Sequence, residues 1–507
     1  MINYLKKIHL LMPALLIFFS GCEPFYHPIC RDDIPTSPGS VWSKKGFTVK
    51  KTTEIPYSVQ DLTGNMHLSK LLDIALYNNP STRASWHASR ASAYAYRAAL
   101  SAYYPTISYT GILTAQSIFG STFASSGNAI ISNNATANSI FTKSYSTNLL
   151  NSVNLTYTLL DFGGRDAIAD TTLQALYASN WQHNYTMQQV MQTVLSAYIS
   201  YIGNKGLVEA YELNLKDAET ALKSAKALHA AGLATLTDEL SASANLELTK
   251  SNLAQAIGSE RTSFAEILIA IGLPADSEIT IDSLPQKLPV IEMEGNISQL
   301  LELAKQKRPD LGIAITAIKQ QEDQLALSYS NSMPIITANA NWTQVRFISP
   351  KRRSGYNETA FLEIDMPIFQ GFYFLNQQRQ LRAQVEEAMA NLDVQVANVS
   401  VQVVTNYYSF KAAEAALPSS LAAVEFSTRA YKGFVVQYRT GTATITDMLT
   451  ALTALSNARA QEVITRTQWA SALANLAFSV GVLEENSGEF MKIPERLIPS
   501  QDDKEFK

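Results

Sequence analysis

Residues able to do chemistry are few and scattered in this 507-residue chain. The six histidines, His9, His27, His67, His87, His183 and His229, show no HxxxH spacing. Cysteine occurs only as Cys22 and Cys30, so nothing after Arg31 can be a thiol nucleophile, a zinc-cysteine site or part of a disulfide framework. No nucleophile elbow or paired-carboxylate motif is present. The glycines of "LDFGGR", Leu160 to Arg165, suggest a phosphate loop, but Walker spacing and its lysine are missing, and the better reading is a bend where a strand becomes a helix, with Gly163 and Gly164 supplying unusual dihedrals. An enzyme is therefore not expected, nor a metal or cofactor. The acid that stands out is Asp447 in "RTGTATITDML", where a glycine and four threonines interrupt a helical pattern.

The elements around Asp447 explain its spacing. Gly441 can end an incoming helix in a left-handed conformation, Thr444 or Thr446 can cap the next helix, and Asp447 sits in that helix's positively polarised first turn. "GLATLTDEL" offers the same arrangement with Gly232, Thr235, Thr237 and Asp238. The two turns belong to a long internal repeat. "LLDIALYNNPSTRA" from Leu71 matches "LLELAKQKRPDLGI" from Leu300, with Pro80 over Pro309 and Pro105 over Pro334, all 229 apart. Farther on the offset is 209, pairing Leu155 with Ile364, Leu160 with Phe369, Gly232 with Gly441, Asp238 with Asp447 and Gly272 with Gly481. The 20-residue difference predicts a Ser/Asn/Ala-rich loop inserted in the first copy between about Ala115 and Val153. The second copy has no histidine, which argues against symmetric metal sites.

Each copy reads as helix, strand, loop, strand, helix, turn, helix. The strands show period-two alternation. Ile107, Tyr109 and Leu113 form one apolar set; Val153, Leu155, Tyr157 and Leu159 face away from Ser152, Asn154, Thr156 and Thr158. Ile336, Ala338, Ala340 and Trp342 alternate with Thr337, Asn339, Asn341 and Thr343. Leu362, Ile364 and Met366 alternate with Glu363 and Asp365, so parity turns these two acids toward a lumen where they favour cations. Such strands suit a membrane, one face for lipid and one for water. From about 164 to 231 no proline interrupts a helical pattern, about 100 Å of rod that needs partner helices. Pro418 is expected to kink the equivalent helix.

The N-terminus reads as an export signal: Lys6 and Lys7, an apolar core Leu10 to Phe19, then Ser20-Gly21-Cys22. "FSGC" resembles a bacterial lipobox, in which Cys22 is acylated, the alternative being plain signal cleavage with an unmodified thiol; Glu23 follows, not the aspartate that commonly retains lipoproteins in the inner membrane, so the outer membrane is the expected destination. The domains expected are 1–21 lipoprotein signal peptide, 22–66 linker, 67–296 first repeat, 297–482 second repeat and 483–507 tail. A net charge of −4 gives no reason to expect nucleic acid. Lys351, Arg352 and Arg353 lie in the second strand loop, either a solvated tip or a contact for lipopolysaccharide phosphates. Four strands cannot close a barrel, and open edges are not tolerated in lipid, so copies must share one. Three copies give twelve strands and leave a lumen.

The chain resembles the TolC-like outer-membrane efflux protein family over residues 68–482. "ALYNNPSTRASWHASRASAYAYRAALSAYYPTISYTG", "LLDFGGRDA" and the paired "GLATLTDEL" and "GTATITDML" carry the resemblance. It implies a homotrimer with a twelve-stranded outer-membrane β-barrel continued by a long periplasmic α-helical coiled-coil tube. It also implies docking to a periplasmic adaptor and, through it, an inner-membrane pump, with drugs or other small toxic compounds as cargo. The outer-membrane duct of a type I protein secretion system uses the same fold, and a non-conducting envelope spacer is the reading from another class. The resemblance places both turns at the periplasmic tip, Gly232, Thr235, Gly441 and Thr444 in the hairpin tips for adaptor docking. Asp447 then matches the gate ring, and Asp238 and Tyr438 the latch around it. The chain departs at Ala443, where the latch has arginine, and at Thr450, where it has a second aspartate.

Overall fold

The computed structural model describes residues 37–40, 65–122, 140–274, 277, 279–281, 287–288, 296–349, 352–483 and 491–492. The signal peptide, Cys22 and Lys351 lie outside them. The chain divides into two units: 94–174 with 318–387, and 1–93 with 175–317 and 388–507.

The first of these holds a four-stranded antiparallel sheet in the order β2-β3-β6-β7, formed by β2 (Thr106–Thr122), β3 (Ile140–Leu160), β6 (Ile335–Ser349) and β7 (Arg353–Asp365). Register keeps the two predicted faces apart. Ile107 stands opposite Leu155 and that opposite Ala340, while Tyr109, Val153 and Trp342 form the next row. On the other face Thr156 Oγ1 donates to Asn339 Oδ1 at 3.1 Å, Thr343 Oγ1 to Asn341 Oδ1 at 2.6 Å, and Asn341 to Asn154. The polar face is thus cross-linked by its own amides and hydroxyls, and the apolar face is left exposed at Ile107, Tyr109, Leu362 and Ile364. Among the described residues, β2 and β7 each have one neighbour, so both are edges.

Two expectations need correction here. Much of the stretch from Ala115 to Val153 is strand: β2 and β3 have 17 and 21 residues against 15 and 13 for β6 and β7. Serine, asparagine and threonine alternate on a ladder there as readily as in a loop, and only 123–139 stays outside the described residues. The strand-to-helix bend is set not by Gly163 and Gly164 but by Phe162 (φ +52°) and Gly163 (φ +89°), Gly164 already being helical. The repeat places Gly371 (φ +60°) and Phe372 (φ +64°) at the same two positions, with glycine and phenylalanine exchanged. Asp161 Oδ2 fixes the first bend by accepting from Arg165 N at 2.7 Å, and Arg165 Nη1 reaches Thr158 O at 2.8 Å.

The second unit contains most of the helices. These are α1 (Leu68–Asn78), the start of α2 (Pro80–Ala99), most of α3 (Gly164–Ala230), α4 (Leu236–Ala270), α5 (Ile297–Lys307), the start of α6 (Pro309–Ser330), most of α7 (Tyr373–Arg439) and α8 (Ile445–Val480). The single leading helix expected in each copy is two. Asn79 (ψ 128°) and Arg308 (ψ 122°) leave the α region, because a following proline clashes with a helical predecessor. α7 runs unbroken through Pro418. Leu71, Ile74, Tyr198, Ile267, Trp469, Leu473 and Leu476 share one core. The stretches after α4 and α8 carry short strands: β4 (Thr280–Ile281) pairs with β1 (Asn65–Met66), and β5 (Lys287–Leu288) with β8 (Met491–Lys492). No helix among the described residues is long and apolar enough to cross a membrane.

The repeat is visible in single hydrogen bonds. Asn79 Nδ2 donates to Ala270 O at 2.9 Å, and Arg308 Nη1 to Ser479 O at 3.0 Å, the same two positions in each copy. Beside them Gly272 (φ +77°) and Gly481 (φ +79°) turn the chain out of α4 and α8. A Cβ on Gly272 would lie 2.9 Å from Asn78 backbone atoms; on Gly481 the nearest atoms, Arg308 Cγ and the Lys307 carbonyl carbon, are both at 3.1 Å. Left-handed φ alone costs alanine about 1–2 kcal/mol. Gly272→Ala is therefore expected to be more destabilising than Gly481→Ala, because its Cβ meets only backbone and at a shorter distance, 2.9 Å against 3.1 Å. Denaturant midpoints of the two variants check this ranking.

Candidate functional site

The two helical hairpins of the second unit end in matching turns. Each incoming helix closes on a left-handed glycine, Gly232 (φ +75°) or Gly441 (φ +77°). Backbone bonds from Leu233 N to Leu228 O and from Thr442 N to Gln437 O then satisfy last-turn carbonyls. Each outgoing helix opens with a reciprocal cap. In the first turn Asp238 N donates to Thr235 Oγ1 and Thr235 N to Asp238 Oδ2, both at 3.2 Å. In the second, Asp447 N donates to Thr444 Oγ1 at 3.2 Å, while Asp447 Oδ2 accepts from Thr444 N at 2.9 Å and Thr444 Oγ1 at 2.7 Å. Of the two threonines open at each turn, Thr235 and Thr444 are the caps; Thr237 and Thr446 are not. Asp447 is exposed, and the hydroxyl and N–H of Thr444 hold its carboxyl below the usual carboxylate value. Its Oδ2 serves the cap while the group remains an open negative charge.

Tyr438 is buried beneath this turn, among Met448, Leu452 and Leu455. Burial, then the charge of Asp238, raise its hydroxyl's pKa, and among the described residues its Oη has no hydrogen-bond partner. Asp238 directs its Oδ2 to Thr235 N instead. The structure therefore brings Tyr438 and Asp238 near one another without forming the expected latch bond between them.

Other groups join the hairpins, and the sequence reading missed them. Arg459 of α8 donates Nη1 to Asp217 Oδ2 and Asn214 Oδ1 of α3, each at 2.8 Å, and Tyr431 Oη of α7 donates to Asp217 O at 3.1 Å. Asn214 Nδ2 also reaches Ser456 Oγ at 2.6 Å. Nearer the tip Arg439 lies 3.3 Å from Ser224 Oγ, and His229 Nδ1 lies 2.8 Å from Glu239 Oε2.

In the sheet, Glu363 Oε2 accepts from Asn339 Nδ2 at 3.0 Å on the polar face, and Asp365 shares that face by parity; both are exposed. Arg352 and Arg353 are exposed beside β7. Cys22 lies outside the described residues. Among those residues no group of three or more His, Cys, Asp or Glu is placed to hold a metal ion.

The comparisons with known proteins agree with this architecture. Protein CyaE of Bordetella pertussis (strain Tohama I) is 24% identical over 423 residues, which span 82% of this chain and 84% of that protein. The solved CusC, described in terms of folding and transmembrane channel formation, superposes with a TM-score of 0.69 at 13% identity, covering 88% of this chain and 98% of its own. The outer membrane protein VceC of Vibrio cholerae superposes at 0.66 and 17% identity, covering 82% and 96%. The Campylobacter jejuni CmeC outer membrane channel does so at 0.66 and 14%, covering 89% and 92%. These likenesses establish the duplicated barrel-and-helical-tube fold. The family described as "Outer membrane efflux protein" matches residues 71–273 and 300–482, both copies of the repeat, and the chain belongs to that family.

Proposed function

We propose that the protein is the exit duct of a tripartite efflux system: a homotrimer in the outer membrane, anchored by acylated Cys22, passing drugs or other small toxic compounds outward. The observation that carries this reading is the four-stranded sheet with an exposed apolar face, a hydrogen-bonded polar face and two free edges. Backbone groups on such edges have no partners in hydrocarbon, so the sheet is stable in lipid only when closed by strands of other copies. Three sheets give a twelve-stranded barrel with a lumen lined by Asn, Thr, Glu363 and Asp365.

The hairpin tips are the far end of this duct. Three copies of Asp447 form an acidic ring at a constriction, and Gly232, Thr235, Gly441 and Thr444 present the turns to a periplasmic adaptor that couples to an inner-membrane pump. The chain itself is a passive duct; the inner-membrane pump supplies the energy.

Purified protein in a planar lipid bilayer is expected to conduct ions, weakly at rest because the tip constricts the path. An absence of conductance both in the native protein and after Asp447→Ala would leave a spacer role standing in place of a duct. Co-purification from membranes then identifies the adaptor and pump; recovery of a protein-exporting ATPase instead of a drug pump would move the cargo from small compounds to polypeptides.

A further inference from the structure

The apolar face of the sheet changes character along its length. On β6 and β7 the residues of that face pair in register as Ile336 with Ile364, Ala338 with Leu362, Ala340 with Ala360, Trp342 with Glu358, Gln344 with Tyr356 and Arg346 with Ser354. Three aliphatic pairs come first, tryptophan and tyrosine follow, and a guanidinium ends the row. β2 and β3 keep the same order: Leu155 and Ile107 continue the row of Ala340, Val153 and Tyr109 that of Trp342, and Asn151 that of Gln344. Tyr109 Oη donates to Asn151 Oδ1 at 2.9 Å at the level where aliphatic side chains give way.

This spacing fits the thickness of a membrane. Ile336 and Arg346 are ten residues apart on β6. At 3.4 Å per residue that is about 34 Å along the strand, or about 26 Å along the membrane normal for a strand tilted by roughly 40°. The apolar band of an outer-membrane barrel is about 25 Å tall and is flanked by aromatic residues. With Ile336 at its inner edge, Trp342 and Tyr356 approach its outer edge. Arg346 then stands just beyond the hydrocarbon, at the depth of lipid headgroups.

Arg346 is exposed, and among the described residues it has neither a hydrogen bond nor an ion pair. Glu358, an acid on the same face, pairs with Trp342, four positions down β6. That is about 14 Å away, beyond the reach of an ion pair. Ser354 lies directly opposite Arg346 and is exposed, as is Arg352 just ahead of β7. Arg353 has the other parity: it pairs with Phe347, which puts it on the polar face and away from lipid.

We propose that Arg346, with the Ser354 hydroxyl beside it, holds a phosphate of a glycolipid headgroup in the outer leaflet, while the aliphatic rows below cover that lipid's acyl chains. A guanidinium fork takes two phosphate oxygens at once, and its charge complements the phosphate. The occupant is a lipid because the free cation continues the apolar face at headgroup depth. This rests on the barrel reading above, and each copy carries one such site.

Purified native protein in detergent, titrated with diphosphoryl lipid A and with its dephosphorylated form, tests the proposal, bound lipid being counted by native mass spectrometry. The phosphorylated lipid is expected to bind about five-fold more tightly, the factor that one cation near a lipid surface supplies. Arg346→Gln should abolish that preference, and Ser354→Glu, which sets a carboxylate opposite Arg346, should abolish it too. Arg346→Lys should keep part of it, as a charge without a fork. An unchanged preference in Arg346→Gln would overturn the site. Millimolar inorganic phosphate should not displace the lipid; full displacement would replace the lipid site by one for free anions. Conductance of the same preparations in planar bilayers separates the two readings. A conducting protein with no preference for the phosphorylated lipid removes the site and keeps the barrel; no conductance and no preference removes both.

Discussion

Arg308→Ala is expected to lower the unfolding free energy by about 3–5 kcal/mol, the range for stripping one partner from a buried ion pair. Arg308 is 4% exposed and Asp310 11%. The guanidinium donates Nε to Asp310 Oδ1 at 3.0 Å and Nη2 to Oδ2 at 2.5 Å. Its Nη1 reaches Gln402 Oε1 on α7 and Ser479 O at the end of α8. One side chain thus joins the start of α6 to two other helices. Truncation leaves a buried carboxylate with only Gln395 Nε2 at 2.8 Å and Leu311 N at 3.1 Å, and leaves Ser479 O without this donor. Arg308→Lys does not rescue, since a point charge cannot fill a forked set of acceptors. The equivalent truncation in the first copy, Asn79→Ala, removes two neutral hydrogen bonds, from Nδ2 to Ala270 O and from Ser81 N to Oδ1, and should cost about 2 kcal/mol.

The same pair sets a pH dependence. Burial alone would raise Asp310, but the hydrogen bonds and charge of Arg308, with Gln395 and Leu311 N–H, outweigh it and hold the carboxyl below its ordinary value. A depressed carboxylate contributes stability that is fully present above the unfolded value, about 3.9, and is lost as pH falls through the folded one. Guanidinium titrations in detergent at pH 7 and at pH 3 should show the native protein losing stability on acidification more than Arg308→Ala does. A variant within about 1 kcal/mol of the native protein at pH 7 would show that the pair is not buried as described.

The difference between Asn79 and Arg308 also marks the limit of what the sequence revealed. The repeat, both offsets, the strands, their two faces and the capping threonines were legible, because each is a local pattern: period two, an X-Pro junction, or Thr-x-x-Asp after glycine. The X-Pro junctions at Asn79 and Arg308 are readable as helix breaks too, although each copy reads with a single leading helix. Only the distal parts of the first hairpin's strands, beyond Ala115 and before Val153, read as loop. Ser, Asn and Thr on both faces, as in "STNLLNS", remove the alternation that identifies a strand, while the backbone ladder persists without it. What could not be read is which charges meet. Arg459 with Asp217, and Arg308 with Gln402 and Ser479, depend on helices far apart in sequence and on the rotation of each about its axis. The missing arginine at Ala443 was legible, but not that Arg439 and Arg459 would tie the hairpins from other turns.

In the proposed duct Asp447 is both helix cap and ring charge, and Asp447→Asn is expected to lower cation preference several-fold while leaving the fold unchanged. The amide oxygen of asparagine still accepts from Thr444 N and Oγ1, so the cap is kept and only the charge is lost. Thr444→Ala does the reverse: it removes the acceptor for Asp447 N and loosens the start of α8, but keeps the carboxylate. In a bilayer under a salt gradient, the reversal potential should move toward zero for Asp447→Asn and stay near the native value for Thr444→Ala, whose melting temperature falls instead. Acidification supplies an independent check. Because Thr444 depresses the Asp447 carboxyl, its charge persists through the ordinary carboxylate value of about 3.9 as pH falls, so cation preference should survive below the pH at which an unassisted aspartate neutralises. In Thr444→Ala the same loss should begin at higher pH. Glu363 and Asp365 are the same in both variants, so the difference between the two pH profiles reports the tip alone. Identical selectivity in Asp447→Asn and the native protein would reduce this acid to a helix cap and remove the ring from the duct.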